Sequence, residues 1–332
     1  MYYFCTLFNQ NYLTRGLALI NSLELTNIKF HLYIFAFDDE TAEYLINNKN
    51  NSFTVIKLNE FETDQLKKVK KNRTLQEYCW TCTPAIINHS IKNFNLNHCT
   101  YIDADLYFFN SPKVLFDEMN KECSVLITKH NYTKEYDQSH TSGKFCVQFM
   151  YFKNDKNGML ILNDWMSSCI KWCYNRVENN KFGDQKYLDD WEKKFKNSIH
   201  ILNNRGGGVA PWNIQQYKLS VNDCILLFNE KKEKTNLIFY HFHNISFYEN
   251  WIIDLGFYKL DKAIVKILYK SYIKKIKHYH ESIINANRQN TNNLHNVKLL
   301  TKTKKSNIFF KKLKRFRNKS YNFYSYKELK KL

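Results

Sequence analysis

The sequence predicts an α/β fold in which a mostly parallel sheet is flanked by helices. Apolar segments rich in aromatic and β-branched residues at 2–8, 30–37 and 53–58 have the length and composition of buried strands. Between them, residues 12–25 and 41–48 have the apolar spacing of helices. Strands that alternate with helices in this way run parallel in one sheet, with the helices packed on its faces.

Later segments continue the pattern. The sequence predicts strands at 123–128, 143–153 and 237–242, helices at 111–120 and 164–176, and a turn entering a helix at 182–191. The 332 residues, 44% of them hydrophobic, are enough for one large domain with an appendage. The chain has no run of 18 apolar residues and its N-terminus lacks the basic leader of a signal peptide, so we expect a cytoplasmic protein.

Positive charge is concentrated near the C-terminus. The net charge is +19, and residues 261–332 alone carry +17, with 20 Lys and Arg against three Asp and Glu. From Asp261 onwards an apolar residue recurs at every fourth position beside a parallel row of lysines, which predicts an amphipathic basic helix. The apolar row is Ile264, Leu268, Tyr272 and Ile276, and the basic row is Lys262, Lys266, Lys270 and Lys274.

A polar linker is predicted at about 284–297, and residues 308–317 then interleave Phe, Ile and Leu with Lys and Arg. We therefore divide the chain into a main domain at 1–258 and a basic helical tail at 259–332. Mixed cationic and apolar side chains are typical of helices that bind anionic membrane surfaces. We expect the tail to hold the protein on the inner face of a membrane. Nucleic acid is not the expected partner, because the main domain is almost neutral.

The segment 97–108 is the most informative about function. It has the composition of a buried strand that delivers Asp103 and Asp105 at its exit, with the small Ala104 between them. Residues i and i+2 of an extended chain lie on one side, so both carboxylates point the same way. Paired carboxylates repel each other unless a cation lies between them. Mn²⁺ and Mg²⁺ prefer such oxygen ligands and often complete their coordination shell with substrate phosphates.

Two histidines, His241 and His243, lie at the end of the last predicted strand of the main domain. Imidazole is a suitable third ligand for Mn²⁺ beside two carboxylates, so one of these histidines is a candidate ligand, and the sequence does not choose between them. The alternative is a pair of structural histidines.

Two further segments are candidates for substrate contacts. Asp184 and Gln185 stand at a predicted helix start, where they are either capping groups or contacts to a sugar. The loop 205–213 holds three of the eight glycines, which indicates that backbone freedom or the close approach of a ligand is needed there. Beside those glycines, Trp212 is either a platform for a sugar ring or part of the core.

Together these residues resemble the GT-A glycosyltransferases, and most closely glycosyltransferase family 8, which includes bacterial galactosyl- and glucosyltransferases of lipopolysaccharide and surface-polysaccharide assembly. The resemblance spans residues 2 to about 250. It rests on the N-terminal strand with its polar continuation, the strand-borne Asp-x-Asp, the strand at 145–149, Gly183-Asp184-Gln185 and the late His241-x-x-Asn244.

The resemblance implies a metal-dependent hexosyltransferase that uses a nucleotide-sugar, most often a UDP-sugar. In the family, two aspartates and the first histidine hold Mn²⁺ on the diphosphate. The corresponding residues here are Asp103, Asp105 and His241. The N-terminal segment lines the uridine pocket, the Asp-x-Asp segment contacts the nucleotide, and an Asp-Gln pair lies by the reacting sugar. The corresponding residues here are Thr6, Phe8, Asn9, Tyr12, Asp103 and Ala104 for the nucleotide, and Asp184 and Gln185 for the sugar. The implied acceptor is a glycan or a lipid-linked sugar.

The chain departs from the family at two places. The family's Phe-Asn-Ala/Val-Gly strand reads Phe145-Cys146-Val147-Gln148 here, and Asn244-Ile-Ser-Phe247 stands where the family has Gly-x-x-Lys-Pro-Trp. That lysine normally meets a phosphate, so its contact is either rebuilt or made by the basic tail. A sugar-nucleotidyltransferase on a related fold is the main alternative, although its usual glycine-rich phosphate loop is missing after the first strand. A nucleic-acid-binding protein without enzymatic activity is the second alternative.

Overall fold

The computed structural model describes residues 1–288, 300–301, 305–317 and 320–332. The strands are β1 Tyr2–Phe8, β2 Phe30–Ala36, β3 Phe53–Lys57, β4 His98–Ile102, β5 Leu106–Phe108, β6 Val125–Lys129, β7 Phe145–Lys153, β8 Ile199–Ile201, β9 Lys218–Val221, β10 Ile225–Phe228, β11 Lys234–Asn236, β12 Phe239–His241, β13 Ser246–Tyr248, β14 Ile252–Asp254 and β15 Phe323–Ser325. The helices are α1 Leu13–Glu24, α2 Asp39–Asn47, α3 Leu58–Phe61, α4 Asp64–Lys70, α5 Leu75–Asn93, α6 Lys113–Asp117, α7 Ser139–Ser142, α8 Lys156–Lys171, α9 Trp191–Lys194, α10 Lys262–Ile264, α11 Lys270–Arg288, α12 Lys305–Arg317 and α13 Tyr326–Lys331.

The central sheet has seven strands in the order β3-β2-β1-β4-β7-β6-β8. Strands β1 to β4 pair in parallel, as does β8 with β6, while β7 is antiparallel to both of its neighbours. The predicted α/β class with a mostly parallel sheet is therefore confirmed. Apolar residues fill both faces of this sheet, because parallel strands are covered by helices on either side.

Smaller sheets surround the central one. Strand β5 pairs antiparallel with β12, β9 to β11 form a meander, and β15 at the C-terminus pairs with β14. The pairing of β5 with β12 matters most for function, because it brings a late segment of the chain to the end of β4.

Two predicted elements differ from the structure. The helix predicted at 164–176 begins at Lys156, where Asp155 caps it by accepting a hydrogen bond from the Gly158 amide, and it ends at Lys171. The polar linker predicted at 284–297 is helical up to Arg288, and the rest of it lies outside the described residues. The nine cysteines are free thiols, and most of them are buried, as expected of packing residues.

The basic amphipathic helix is present, but its apolar row is buried. It begins at Lys262, passes through a π-helical turn at Val265–Tyr269 and continues as α11. Its four predicted apolar residues are each at most 3% exposed and belong to a core cluster with β12 to β14. This helix is therefore packed against the main domain. Among the described helices, none is both long enough and apolar enough to cross a bilayer.

Candidate active site

A cavity of about 620 Å³ opens where β1 and β4 end. Open α/β sheets bind ligands at this edge. Of the eleven predicted site residues, ten line the cavity: Phe8, Asn9, Tyr12, Asp103, Ala104, Asp105, Asp184, Gln185, His241 and His243. The exception is Thr6, which is fully buried two residues before the end of β1, where it pairs with Ile34 inside the sheet. Thr6 therefore does not line this cavity, and its contact with the nucleotide stays a prediction.

Asp103, Asp105 and His241 form a group that could hold a metal ion. Strand β4 ends at Ile102, and a turn closed by the Leu106 amide donating to the Asp103 carbonyl (3.1 Å) reverses the chain into β5. Pairing of Leu106 with His241 then places the imidazole beside the acids. Its Nε2 lies 3.1 Å from Asp105 Oδ1 and 3.7 Å from Asp103 Oδ2.

One ligand atom from each of these three residues lies within 4.8 Å of the others, and within the described part of the chain His243 does not belong to the group. The His243 ring lies next to that of His241, with centroids 5.7 Å apart. Two carboxylates and an imidazole are a donor set that suits Mn²⁺ or Mg²⁺. The residues present therefore fit the metal that the resemblance implies.

The electrostatics of the group favour a positive charge at its centre. Burial alone would raise the pKa of Asp105, but the charge and hydrogen bond of His241 lower it to about 2. Burial raises the pKa of Asp103 in spite of the same histidine. Burial would lower the pKa of His241, yet the attraction of Asp105 raises it well above its ordinary value. A protonated His241 therefore supplies the positive charge that a bound cation would supply beside the two carboxylates.

Gln148 fixes the orientation of His241. Its side-chain Oε1 lies 2.9 Å from His241 Nδ1 in a buried contact. When Oε1 accepts from Nδ1–H of a neutral ring, Nε2 is free to ligate a metal. The Gln148 amide nitrogen is buried without a hydrogen-bond partner. Sequence reasoning noted this residue only as a departure from the family strand.

Asp184 and Gln185 line the same cavity as the metal-binding group. The preceding Gly183 has φ +53°, and a Cβ there would lie 3.2 Å from the Trp80 ring, so the turn favours glycine. Asp184 is 4% exposed, and its carbonyl accepts a hydrogen bond from Trp165 Nε1 at 2.8 Å. Burial, and then the nearby charge of Asp103, raise the pKa of the Asp184 carboxyl to about 7.

The glycine-rich loop shows backbone freedom, one of its two predicted roles, since Gly208 has φ +92°. A Cβ on Gly206 would lie 1.8 Å from the Asn236 carbonyl oxygen, and one on Gly207 would meet the side chains of Leu202 and Leu115. These glycines thus allow close approach of other parts of the protein, and they do not line the cavity. Trp212 does line it, although it is only 4% exposed, and its Nε1 donates to the His130 carbonyl at 2.9 Å.

Around Trp212 the cavity has an aromatic wall, which also includes His130, Tyr132, His243 and Tyr258. The rings of His130 and Tyr132 stack at 4.5 Å with an interplanar angle of 12°. The Trp212 ring lies edge-on to that of His243, with centroids 5.5 Å apart. Flat rings of this kind pack well against the apolar faces of sugars.

The comparisons with known proteins now give the family. No family profile matches the sequence. It is 30% identical over 294 residues to the protein YfnD of Bacillus subtilis strain 168, covering 86% of this chain and 92% of YfnD. It is 31% identical over 247 residues to YfnF of the same strain, covering 72% of this chain and 80% of YfnF. The chain belongs to the family of YfnD and YfnF.

The YfnD/YfnF family member also resembles solved structures. The galactosyltransferase LgtC in complex with donor and acceptor sugar analogs superposes with a TM-score of 0.51 at 10% identity, covering 83% of this chain and 95% of LgtC. An active-site mutant of LgtC superposes with a TM-score of 0.50 at 11% identity, covering 74% of this chain and 88% of the mutant. The fold is therefore the GT-A fold, as the sequence predicts.

In this YfnD/YfnF family member, α5 lines one side of the cavity with residues that sequence reasoning missed. They are Leu75, Gln76, Cys79, Trp80 and Thr83. A sequence signal was present, because Thr74 and Glu77 form a capping box at the helix start. Pro84 inside the helix weakens the helical pattern of the sequence.

The described residues that line the cavity include no Lys or Arg. Arg15 is buried beside the lining residue Tyr12. It donates to the carbonyls of Asn11 (3.1 Å) and Ile245 (2.8 Å), and its guanidinium lies 4.5 Å from the Tyr12 ring centroid. Its hydrogen bonds thus tie the segment after β1 to the segment after β12. Among the described residues, no Lys or Arg on the cavity surface replaces the phosphate-binding lysine that the resemblance implies.

Proposed function

We propose that this protein is a metal-dependent glycosyltransferase that moves a hexose from a nucleotide-sugar, most often a UDP-sugar, to a glycan or lipid-linked acceptor in surface-polysaccharide biosynthesis. The observation that carries the proposal is the group of Asp103, Asp105 and His241 at the edge of a GT-A sheet, inside a cavity large enough for a nucleotide-sugar. Ligand cavities of several hundred Å³ are typical of small-molecule sites.

Asp103, Asp105 and His241 would hold Mn²⁺ or Mg²⁺. When bound, the ion would offset the charge that develops on the diphosphate as the bond to the sugar breaks. Because no Lys or Arg of the described part of the chain lines the cavity, those residues offer the diphosphate no other full positive charge on that surface. We therefore expect activity to depend strictly on a divalent metal.

Three groups of lining residues would hold different parts of the substrates. Phe8, Asn9 and Tyr12, which follow β1, would contact the nucleoside. Asp184 and Gln185 would contact the donor sugar, with Asp184 able to share a proton with a hydroxyl because its pKa is about 7. The aromatic wall around Trp212 would bind the acceptor, and its uncharged rings suit a neutral sugar better than an acidic one.

The alternative within the same chemistry is a sugar-nucleotidyltransferase, which would also use paired acids and a metal. The segment after β1, Phe8-Asn-Gln-Asn-Tyr12, has no glycine to wrap a triphosphate. The two activities differ in their products, since a glycosyltransferase releases a nucleoside diphosphate and a nucleotidyltransferase releases pyrophosphate. Product analysis therefore separates them.

The experiment is a screen of the full-length protein with UDP-, GDP- and CMP-sugars, with and without Mn²⁺. We expect one UDP-sugar to raise the melting temperature and to be hydrolysed slowly to UDP only when Mn²⁺ is present. Asp105→Asn should abolish the Mn²⁺-dependent turnover while the far-UV circular dichroism stays unchanged. Full activity of Asp105→Asn, or equal turnover in a chelator, would overturn the metal assignment.

The two histidines need separate variants. His241→Ala should weaken Mn²⁺ binding more than His243→Ala, because only His241 lies with Asp103 and Asp105 in the metal-binding group of the described residues. The opposite order, measured by calorimetric titration of Mn²⁺, would move the third ligand to His243.

A further inference from the structure

The C-terminal helix α12 presents one side to the protein. Arg315 forms an ion pair with Asp254, Nη2 to Oδ2 3.2 Å, and Asp254 is only 3% exposed. Lys311 Nζ donates to the Tyr248 hydroxyl at 2.7 Å. Ile308 lies on the same side of the helix and is half-buried. These contacts fix which side of α12 faces the domain, since residues at spacings of three, four and seven share one helix face.

The opposite side of α12 is apolar and exposed. The exposed fractions are 63% for Phe309, 64% for Phe310, 45% for Leu313 and 62% for Phe316. The spacing of 309, 313 and 316 puts these side chains on a single stripe, with Phe310 along its edge. Contiguous aromatic surface of this kind costs free energy in water, so it points to a binding surface. We call these four residues the α12 stripe.

Positive charge borders the stripe. The α12 sequence holds six Lys and Arg and no Asp or Glu, and Lys312, Lys314 and Arg317 are exposed beside the apolar residues. An apolar face bordered by basic side chains is the pattern of helices that lie in the headgroup region of anionic bilayers. Basic residues near such a surface are attracted to it by its negative charge.

We propose that the α12 stripe inserts into the headgroup region of an anionic phospholipid surface, while Lys312, Lys314 and Arg317 contact the lipid phosphates. The structure assigns this role to α12 and not to the earlier basic helix, because the apolar row of that helix is buried in the core. The ion pair of Arg315 with Asp254 sets the orientation of the domain on the surface.

Two other occupants fit the surface less well. A second copy of the chain would bring two helices with six basic residues each into contact, so repulsion would oppose the pairing. A nucleic acid would satisfy the charges but would leave the aliphatic Leu313 without a suitable partner, because recognition of single strands uses aromatic stacking and cations. A lipid surface satisfies both the charged and the apolar side chains.

The test uses the full-length protein in co-sedimentation with vesicles. Vesicles of phosphatidylglycerol mixed with phosphatidylcholine should bind the protein at low salt, and vesicles of phosphatidylcholine alone should not. Replacing the stripe by serine (Phe309→Ser, Phe310→Ser, Leu313→Ser and Phe316→Ser) should weaken binding by roughly tenfold or more, because apolar burial is lost. A second variant, Lys312→Gln with Lys314→Gln and Arg317→Gln, should weaken binding and flatten its salt dependence.

The matched control replaces exposed apolar residues elsewhere, Leu25→Ser, Leu160→Ser and Val221→Ser, which are 64%, 52% and 56% exposed. This control should bind like the wild type. Equal binding to neutral and anionic vesicles, or unchanged binding by the stripe and charge variants, overturns the proposal. So does a preference for single-stranded RNA over vesicles, or a dimer that the stripe variant abolishes.

Discussion

At the scale of single residues, Gln148 decides which nitrogen of His241 faces the acids. If the amide were turned, its NH₂ would donate to Nδ1 and the ring proton would move to Nε2, where it would block a metal. Residues that orient a metal-binding histidine in this way commonly affect metal affinity about 10- to 100-fold. The role depends on a contact between residues 93 positions apart in the chain.

We therefore expect Gln148→Met, which keeps the volume and loses the acceptor, to weaken Mn²⁺ binding by about tenfold or more. Gln148→Glu keeps an acceptor oxygen and should retain binding. Calorimetric titration of Mn²⁺ into the substrate-free protein measures this directly. Gln65→Met on the exposed face of α4 is the control and should leave Mn²⁺ affinity unchanged. Equal affinity of Gln148→Met and wild type would assign Gln148 to packing alone.

Asp184 gives a second prediction at this scale. Its pKa is raised from 3.8 to about 7 in the folded protein, so between about pH 4 and 7 the folded chain binds more protons than the unfolded chain. The contribution of Asp184 to the free energy of unfolding therefore falls as the pH rises through this window. In metal-free buffer, Asp184→Asn should be more stable than wild type by roughly 2 to 4 kcal/mol at pH 8 and equal to it near pH 4.

Urea unfolding at several pH values measures the effect of Asp184→Asn. The exposed Asp190→Asn is the control, and its difference from wild type should not follow this pH window. A constant difference between Asp184→Asn and wild type from pH 4 to 8 would contradict the prediction.

At the scale of elements, the glycine-rich loop supports the site from outside. The Gly206 carbonyl accepts from the Ile238 amide at 2.9 Å, just before β12, which carries His241. The loop therefore helps to hold β12 against β5. Gly206 is required by the protein's own backbone, because a Cβ there would meet the Asn236 carbonyl oxygen.

We expect Gly206→Ala to destabilise the protein by about 2 to 4 kcal/mol, because its Cβ would lie 1.8 Å from a carbonyl oxygen that cannot rotate away. Gly207→Ala should cost less, since its nearest neighbours are the ends of flexible leucine side chains. Thermal unfolding compares the two variants. Equal melting temperatures of Gly206→Ala and Gly207→Ala would show that the backbone contact is relieved by a small shift.

At the scale of the whole molecule, residues beyond 258 pack against the strand that carries the candidate ligand. The hydroxyls of Tyr240 and Tyr269 lie 2.9 Å apart, and the rings of Phe242 and Tyr272 stack at 3.8 Å. This packing indicates that residues 1–258 and 259–332 stabilise each other. Their division into a main domain and a tail with separate functions stays a prediction.

Truncation after residue 258 should accordingly lower the melting temperature sharply or give insoluble protein. The truncation removes the four residues of the buried apolar row. Their burial contributes roughly 1.5 to 3 kcal/mol each, and the sum is comparable with the total stability of a typical domain. The stripe variant of α12 leaves this packing in place and should keep the melting temperature of the wild type. A soluble truncated protein with an unchanged melting temperature would contradict this expectation.

The sequence by itself determined the first strands and helices and their parallel arrangement, the placement of Asp103 and Asp105 at a strand end, and the charge of the tail. These are local properties, because spacing and composition within a few residues decide them. Only the tertiary structure decided that His241 joins the acids, that Gln148 orients it, that α5 lines the cavity and that the basic helix buries its apolar row. Each of these depends on contacts between segments distant in the chain. An apolar row looks the same in a sequence whether it packs on a protein core or faces a membrane.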